Sequence, residues 1–239
     1  MKKSYSHIVL CLFTLLLIAG CASTKVTSRQ RFVTGDLPRP EHIWVYDFVA
    51  TPADIPADSA FAGQYETVPQ TSEDIATGRE LGVQIAADLV KQIYDMRLPA
   101  ARASALTRPE LNDLVIRGYL LSIDEGSAAK RFAIGFGSGT SELRTGVEVF
   151  QMTAQGLRKL GYGTLDSGGS KGPGAAMPLG VAIATGNPVG LIVSTGAKIV
   201  GEASGKSTIE GRGEQIANEI ADHLNARFME QGWVFPARR

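Results

Sequence analysis

The residue with the most specific chemical signature is Cys21, whose thiol follows the run Leu17–Gly20. Two apolar residues, two small residues and then a cysteine form the site where a bacterial signal peptidase cleaves and the cysteine is lipidated. Two lysines near the N-terminus precede an apolar stretch, Ile8–Ile18, that is shorter than the roughly 20 residues of a spanning helix. We therefore predict residues 1–20 as a lipoprotein signal peptide and Cys21 as the lipidation site.

Two alternatives are an ordinary secretory signal and a buried N-terminal helix. Ordinary cleavage favours small residues at the first and third positions before the cut, and the bulky Ile18 occupies the third position. Ala22 and Ser23 follow the cysteine, with no aspartate, which resembles lipoproteins exported to the outer membrane of Gram-negative bacteria. We expect a lipid-anchored protein on the periplasmic face of the outer membrane.

Charge and cysteine content argue against a nucleic-acid partner and against a disulfide bond. Removing residues 1–20 leaves 22 basic against 24 acidic residues, so we expect no nucleic-acid partner. Cys11 leaves with the signal peptide, and no thiol pair remains for a disulfide. An apolar content of 44% favours one domain, residues 41–239, preceded by a polar tether at residues 21–40.

The segment Gly201–Thr208 resembles a phosphate-binding P-loop. That motif needs four residues between its two glycines, whereas three residues separate Gly201 from Gly205. ATP is also absent beyond the inner membrane. We predict that this segment is the loop before the last helix, and we expect no cofactor.

A second glycine-rich segment could bind an anion through backbone N–H groups, since Lys130, Arg131 and Arg144 flank it. A dinucleotide site needs such a turn to lead from a strand into a helix, but Val147–Phe150 alternates as a strand. A twisted hairpin with glycines at positive φ is the favoured interpretation, and a loop site is the alternative. Its three glycines are Gly135, Gly137 and Gly139.

Catalytic and metal-ligating side chains are scarce after the predicted cleavage. Two histidines remain, His42 and His223, and Asp222 adjoins His223 on a helix, where consecutive side chains do not face each other. A metal site or a Ser/His/Asp triad has little to build on. We predict a non-enzymatic protein with no catalytic, cofactor-binding or metal-binding residues. A hydrolase that acts through carboxylates stays an alternative.

The stretch Ala175–Ala197 carries no charge and repeats small residues at a spacing of four, which allows helices to approach closely. Pro178 and Pro188 interrupt any single spanning helix. A glycine-rich apolar hairpin buried in the domain is the favoured interpretation. The alternatives are contact with a membrane or with a second copy, and ligand binding. The candidate interaction residues are Gly180, Ala182, Gly186, Gly190 and Ser194.

Apolar periodicity predicts the elements that must position these residues. The predicted strands are Ile43–Val49, Leu114–Ile123, Leu143–Met152 and Leu157–Leu165. The predicted helices are Glu73–Tyr94 and Glu210–Gln231; Gly232 ends the second, and Trp233–Phe235 then folds back onto the core. The expected fold is α/β (α+β): a small, largely antiparallel sheet with two long packed helices and the apolar hairpin.

Four segments occur in a distinctive order along the chain: Ile43–Phe48, the glycine-rich Arg131–Ser141, the glycine-rich apolar hairpin, and Ile216–Trp233. Together they resemble the bacterial lipoprotein family known as domain of unknown function 4410. The resemblance implies no established activity and no catalytic residues. At the level of fold, the first strand and helix look like those of periplasmic α/β modules in curli-secretion and peptidoglycan-synthase-activating lipoproteins.

These expectations combine into one functional hypothesis with two alternatives. A lipid anchor and few catalytic side chains favour a non-enzymatic envelope protein with a binding or assembly role. The first alternative is an oligomeric transport or secretion component whose hairpin contacts the membrane, and the second is an envelope-polymer hydrolase. The expected partners are the membrane, through the lipid anchor, and either an envelope protein or further copies of this chain.

Overall fold

A computed structural model of the chain describes residues 23–63, 71–124, 142–168, 193–194 and 208–235. Within these residues, seven strands form one mixed sheet, and two long helices pack on one of its faces. The fold class is therefore the predicted α+β arrangement of a largely antiparallel sheet with two long helices. In the same residues, neither helix combines the length and the apolar character that crossing a bilayer requires.

The strands in chain order are β1 (Ser23–Arg31), β2 (Ile43–Tyr46), β3 (Ala100–Ala103), β4 (Leu114–Asp124), β5 (Glu142–Thr153), β6 (Gly156–Gly168) and β7 (Val193–Ser194). Their order across the sheet is β1-β6-β5-β4-β2-β3, and β7 pairs with the end of β4. β4, β5 and β6 form an antiparallel meander, and β1 extends it antiparallel to β6. β2, β3 and β7 run parallel to the strands beside them.

The two long helices are α1 (Ser72–Asp95) and α2 (Ile209–Glu230), whose ends lie within one residue of the predicted bounds. α1 begins with a capping box, in which Thr71 and Asp74 each accept a hydrogen bond from the other's backbone N–H. Thr208 caps α2 by accepting from the N–H of Gly211, so the last residue of the P-loop-like segment leads directly into the helix. Gly232 ends α2 with φ +70°, which glycine adopts without strain.

The main core lies between the sheet and the two helices, and the predicted helical stripes supply much of it. The fully buried stripe residues include Ile85, Leu89, Ile93 and Ile216. Trp233 folds back onto this core as predicted, with its ring centroid 5.4 Å from that of Phe228. The same prediction is wrong for Phe235, which is 79% exposed because the chain leaves the core after Val234.

α1 approaches the backbone beside the sheet closely at Gly82. The N–H of Phe48 donates to the carbonyl of Gly82 at 3.2 Å, and a Cβ atom at Gly82 would lie 2.1 Å from the carbonyl oxygen of Phe48. Because a backbone carbonyl cannot move aside as a flexible side chain can, this contact requires glycine.

The predicted tether at residues 21–40 is wrong for Ser23–Arg31, which forms β1 and pairs with β6 over most of its length. Thr24 and Ser28 hydrogen-bond to hydroxyl groups of β6, while Val26 packs against the core. Leu37, farther along the predicted tether, also packs against the core. The polar composition of this segment reflects the exposure of an edge strand rather than flexibility.

The opposite edge of the sheet, formed by β2 and β3, also differs from the prediction. The strand predicted at Ile43–Val49 ends at Tyr46, and Val49 makes an isolated bridge to Tyr119. Sequence patterning does not predict β3, whose residues Ala-Ala-Arg-Ala have low strand propensity. Parallel pairing with β2 along all four residues places this segment in the sheet.

Candidate functional site

Most of the predicted site residues lie outside the described residues. They are Cys21, the loop residues Gly135, Gly137 and Gly139, and the hairpin residues Gly180, Ala182, Gly186 and Gly190. Ser194 lies in β7, which pairs in parallel with Ile123 and Asp124 at the end of β4. One segment of the uncharged stretch therefore joins the sheet as a short strand.

The structure separates the two histidines that could take part in acid–base chemistry. The ring of His42 stacks on that of Trp44, with centroids 5.3 Å apart. His223 lies on α2, where its Nε2 is 3.3 Å from a carboxylate oxygen of Glu219. The part of the chain that the structure describes contains no group of three His, Cys, Asp or Glu residues that could hold a metal ion.

A buried polar cluster lies on the sheet face opposite the helices. The side chain of Glu148, on β5, is fully buried. Its carboxylate accepts hydrogen bonds from the Tyr119 hydroxyl and from the N–H of Ala60, each at 2.8 Å. Nζ of Lys159 lies 2.6 Å from the same carboxylate and donates to the backbone carbonyl of Asp58 at 3.0 Å. The cluster therefore joins β5 to its neighbours β4 and β6 and to the 58–60 loop.

This cluster is closed on the side away from the sheet. The ring of Phe61 covers it, with its centroid 5.5 Å from that of Tyr119. Burial, together with the nearby Glu148 carboxylate, raises the pKa of Tyr119, so its hydroxyl keeps the proton that it donates. Both oxygens of Glu148 are occupied by donors from the fold itself. The arrangement holds the loop on the sheet and engages both carboxylate oxygens of Glu148.

An apolar groove opens between α2 and the sheet, beside the edge formed by β1 and β6. We call this cavity of about 160 Å³ the edge groove. Gly161 and Gly163 of β6 line it, and a Cβ atom built at Gly163 would meet a single atom within 4 Å, the carbonyl oxygen of Ser28 at 3.2 Å. A Cβ atom at Gly161 would lie 2.6 Å from the backbone carbonyl oxygen of Gln30, so the missing side chain that leaves space between sheet and helix is that of Gly163. The apolar walls include Val26, Val149, Leu160, Leu165, Leu224, Phe228 and Trp233.

Basic side chains border the edge groove. Arg29 and Arg31 come from β1, and Arg227 comes from α2. Glu230 pairs with two of them, at 3.3 Å from Arg31 and 2.8 Å from Arg227, and the hydrogen bond from Arg227 is the main cause of its lowered pKa. The side chain of Arg29 has no hydrogen bond or ion pair with any residue that the structure describes. The border therefore carries an excess of positive charge.

Sequence patterning does not predict the edge groove. Leu224 and Phe228 fit the apolar stripe of α2, and a stripe does not show whether its partner face is filled. One signal was present in the sequence: Gly161 and Gly163 alternate with Leu160 and Tyr162, which removes two successive side chains from one face of a predicted strand. The contribution of Arg29 follows only from the placement of β1.

Comparison with known proteins identifies the family. A family model described as "Domain of unknown function (DUF4410)" matches residues 43–186, which is more than half of the chain. The chain belongs to the DUF4410 family. The matched range begins at β2 and includes α1 and β3 to β6, whereas β1 and α2 lie outside it. The edge groove therefore combines DUF4410 strands with two elements beyond the matched range.

Among solved structures, this DUF4410 chain is similar to PelC from Paraburkholderia phytofirmans. The TM-score is 0.35 for a single-substitution variant of PelC in space group C2 and 0.33 for PelC in space group P6. Each comparison has 10% sequence identity and covers 69% of this chain and 97% of the PelC chain. Both PelC structures are described as dodecamers. No match was found among curated proteins.

Proposed function

We propose that this DUF4410 protein is a lipid-anchored, non-enzymatic binding protein of the bacterial envelope, and that the edge groove is its binding site. One observation carries the proposal: an apolar cavity of about 160 Å³ lies open at a sheet edge and is bordered by basic side chains. Binding sites for small molecules are concave and mostly apolar, with a few polar groups that orient the ligand.

The distribution of polar chemistry supports binding rather than catalysis. Glu148 is engaged by donors from within the fold and lies on the face of the sheet opposite the groove. Among the described residues that line the groove, His223 is the one histidine, and it faces Glu219 on its own helix. A binding site works with such a lining because it needs shape and charge rather than a nucleophile and its base.

The predicted cleavage and lipidation site, Leu17–Cys21, supports attachment to the periplasmic face of the outer membrane. The variant Cys21→Ala tests this, made behind an ordinary secretory signal so that export and cleavage continue. We expect the wild-type chain in the outer-membrane fraction and the variant in the soluble periplasmic fraction. Cys11→Ala, within the predicted signal peptide, is the matched control and should stay in the membrane. If Cys21→Ala stays there too, the lipid is not the sole anchor and membrane contact by residues 175–197 is favoured.

Native mass spectrometry of the full chain, purified from the envelope in mild detergent, tests the binding site. We expect a bound non-protein mass in the wild-type chain. Gly163→Leu and Val149→Phe should lose it because their side chains fill the cavity. Val83→Phe adds the same bulk on α1 at a position that does not line the groove, so it should keep the mass. A wild-type chain without bound mass, or equal retention by both groove variants, would contradict the proposed binding site.

A further inference from the structure

The walls of the edge groove indicate what kind of molecule it can hold. A buried peptide segment would bring N–H and C=O groups that need hydrogen-bond partners. The glutamines of the lining are already engaged: Gln231 accepts from the N–H of Leu37 at 2.6 Å, and Gln30 accepts from the Tyr162 hydroxyl at 2.7 Å. The remaining walls are mostly carbon, so they suit a chain without polar groups.

The size of the cavity fits part of one hydrocarbon chain. An engineered apolar cavity of about 150 Å³ holds one benzene molecule, which has six carbon atoms. The edge groove has about the same volume, 160 Å³, and it opens to solvent between β1 and α2. A longer chain can therefore place one segment inside and leave its end at the border of the groove.

The positive charge at that border favours a ligand whose exposed end is anionic. Three guanidinium groups, of Arg29, Arg31 and Arg227, line the groove, and the described lining contains no carboxylate. Glu230 beside it compensates part of this charge through its pairs with Arg31 and Arg227. Arg29 is exposed and keeps its donors for a ligand. A guanidinium group matches the geometry of a carboxylate and can bind it with two parallel hydrogen bonds.

We infer that the edge groove binds a free long-chain fatty acid, with its hydrocarbon in the cavity and its carboxylate at Arg29. This inference rests on the proposed function, because it names the ligand of the same site. The apolar walls provide the affinity for the chain, and the exposed arginine provides the preference for an anionic end.

Photolabelling tests where the hydrocarbon lies. The purified full chain in an amphipathic polymer is irradiated with a diazirine-bearing palmitic acid, and labelled peptides are mapped by mass spectrometry. We expect label on β1, β6 or α2, and displacement by unlabelled oleate. Gly163→Leu and Val149→Phe should reduce the label about tenfold, since each side chain competes for the cavity. Val83→Phe should label as the wild type does, and label elsewhere in the fold would overturn the inference.

Competition between two unlabelled lipids tests the carboxylate. Oleate and oleyl alcohol share one hydrocarbon chain and differ in charge. We expect oleate to compete about threefold better on the wild-type chain, the scale of an exposed ion pair. In Arg29→Gln the two should compete equally, whereas Arg79→Gln, an exposed charge change on α1, should keep the preference. Equal competition on the wild-type chain would overturn the assignment of an anionic end.

The two proposals fail in different ways. A bound mass that both groove variants lose, but that is not a fatty acid, overturns the inferred ligand and leaves the binding site standing. Absence of both the bound mass and the groove label overturns the proposed function itself. Label that appears in the groove only after Cys21→Ala would assign the cavity to the protein's own acyl anchor, which overturns binding of a free fatty acid.

Discussion

Nζ of Lys159 lies 2.6 Å from the carboxylate of Glu148, and the glutamate side chain is fully buried while the lysine side chain is 22% exposed. One end of this ion pair therefore contacts solvent, and the other end is enclosed by the sheet and the 58–61 loop. Burying a carboxylate is unfavourable unless its partners compensate for the lost water. The pair fixes the loop that covers the sheet face opposite the helices.

Lys159→Met should lower the free energy of unfolding by about 2–4 kcal/mol, because it leaves the Glu148 charge buried without its cation. Urea denaturation of the purified chain measures this. The matched control is Lys91→Met, which breaks an exposed pair with Asp95 and should change stability by about 0.5 kcal/mol or less. Equal effects of the two substitutions would contradict a structural role for the buried pair.

The free energy of unfolding should fall in alkaline solution because Tyr119 ionises there in the unfolded chain. Its pKa is raised from the ordinary value of 10.0, so the folded chain keeps a proton that the unfolded chain loses as pH rises. Stabilisation by this hydroxyl is therefore complete below about pH 10 and declines above it. Tyr119→Phe cannot ionise, and its stability difference from the wild type should shrink by about 1.4 kcal/mol per pH unit above that point. Denaturant midpoints on either side of about pH 10 measure the difference, and a constant difference argues against the raised pKa.

Gly82→Ala and Gly213→Ala make the same chemical change in two helices but should differ in effect. At Gly82 the new Cβ atom would lie 2.1 Å from a backbone oxygen, so we expect a loss of about 3 kcal/mol or more. At Gly213 it meets the flexible end of Leu81 at 2.8 Å, and the higher helix propensity of alanine, about 1 kcal/mol, offsets the contact. Thermal unfolding measures both, and a smaller loss at Gly82 would contradict the close approach of α1.

Asp113→Ala should be strongly destabilising. Its fully buried carboxylate accepts from the N–H of His42, the indole N–H of Trp44 and the N–H of Glu110. Removing the acceptor leaves these donors unpaired, which should cost about 3 kcal/mol or more. Asp47→Ala, which removes an exposed pair with Arg102, should cost about 1 kcal/mol or less. Urea denaturation compares the two variants, and similar losses would show that burial of Asp113 is unimportant.

The parts of the fold that could be predicted from sequence are those whose own residues repeat with the period of the element. α1 and α2 carry apolar stripes and hydroxyl caps, and β4 and β5 are rich in apolar and β-branched residues, so their bounds follow from local pattern. β1 and β3 lack such a pattern. They enter the sheet because β6 and β2 offer them backbone hydrogen bonds, which are interactions between distant parts of the chain.

The candidate site was unpredictable for the same reason. The edge groove forms between β1 and α2, which are about as far apart along the chain as any two elements of the fold, and above glycines in β6. Arg29 lines the groove only because β1 lies at that edge. Cluster residues such as Glu148 and Lys159 also come together across strand pairing, so their identity alone gives no hint of the contact.

The replacement of a tether by a strand has a geometric consequence for the proposed lipoprotein. Ala22 alone separates Cys21 from the first residue of β1, and two residues of extended chain span about 7 Å at most. A free twenty-residue linker would have let the domain rotate and sample a shell of periplasm. If Cys21 carries lipid as proposed, the sheet edge would instead stand against the headgroups in a restricted orientation, and Arg29, eight residues from Cys21, would lie within about 30 Å of the bilayer. In that arrangement the mouth of the groove would be kept at the surface from which an insoluble ligand would have to be drawn.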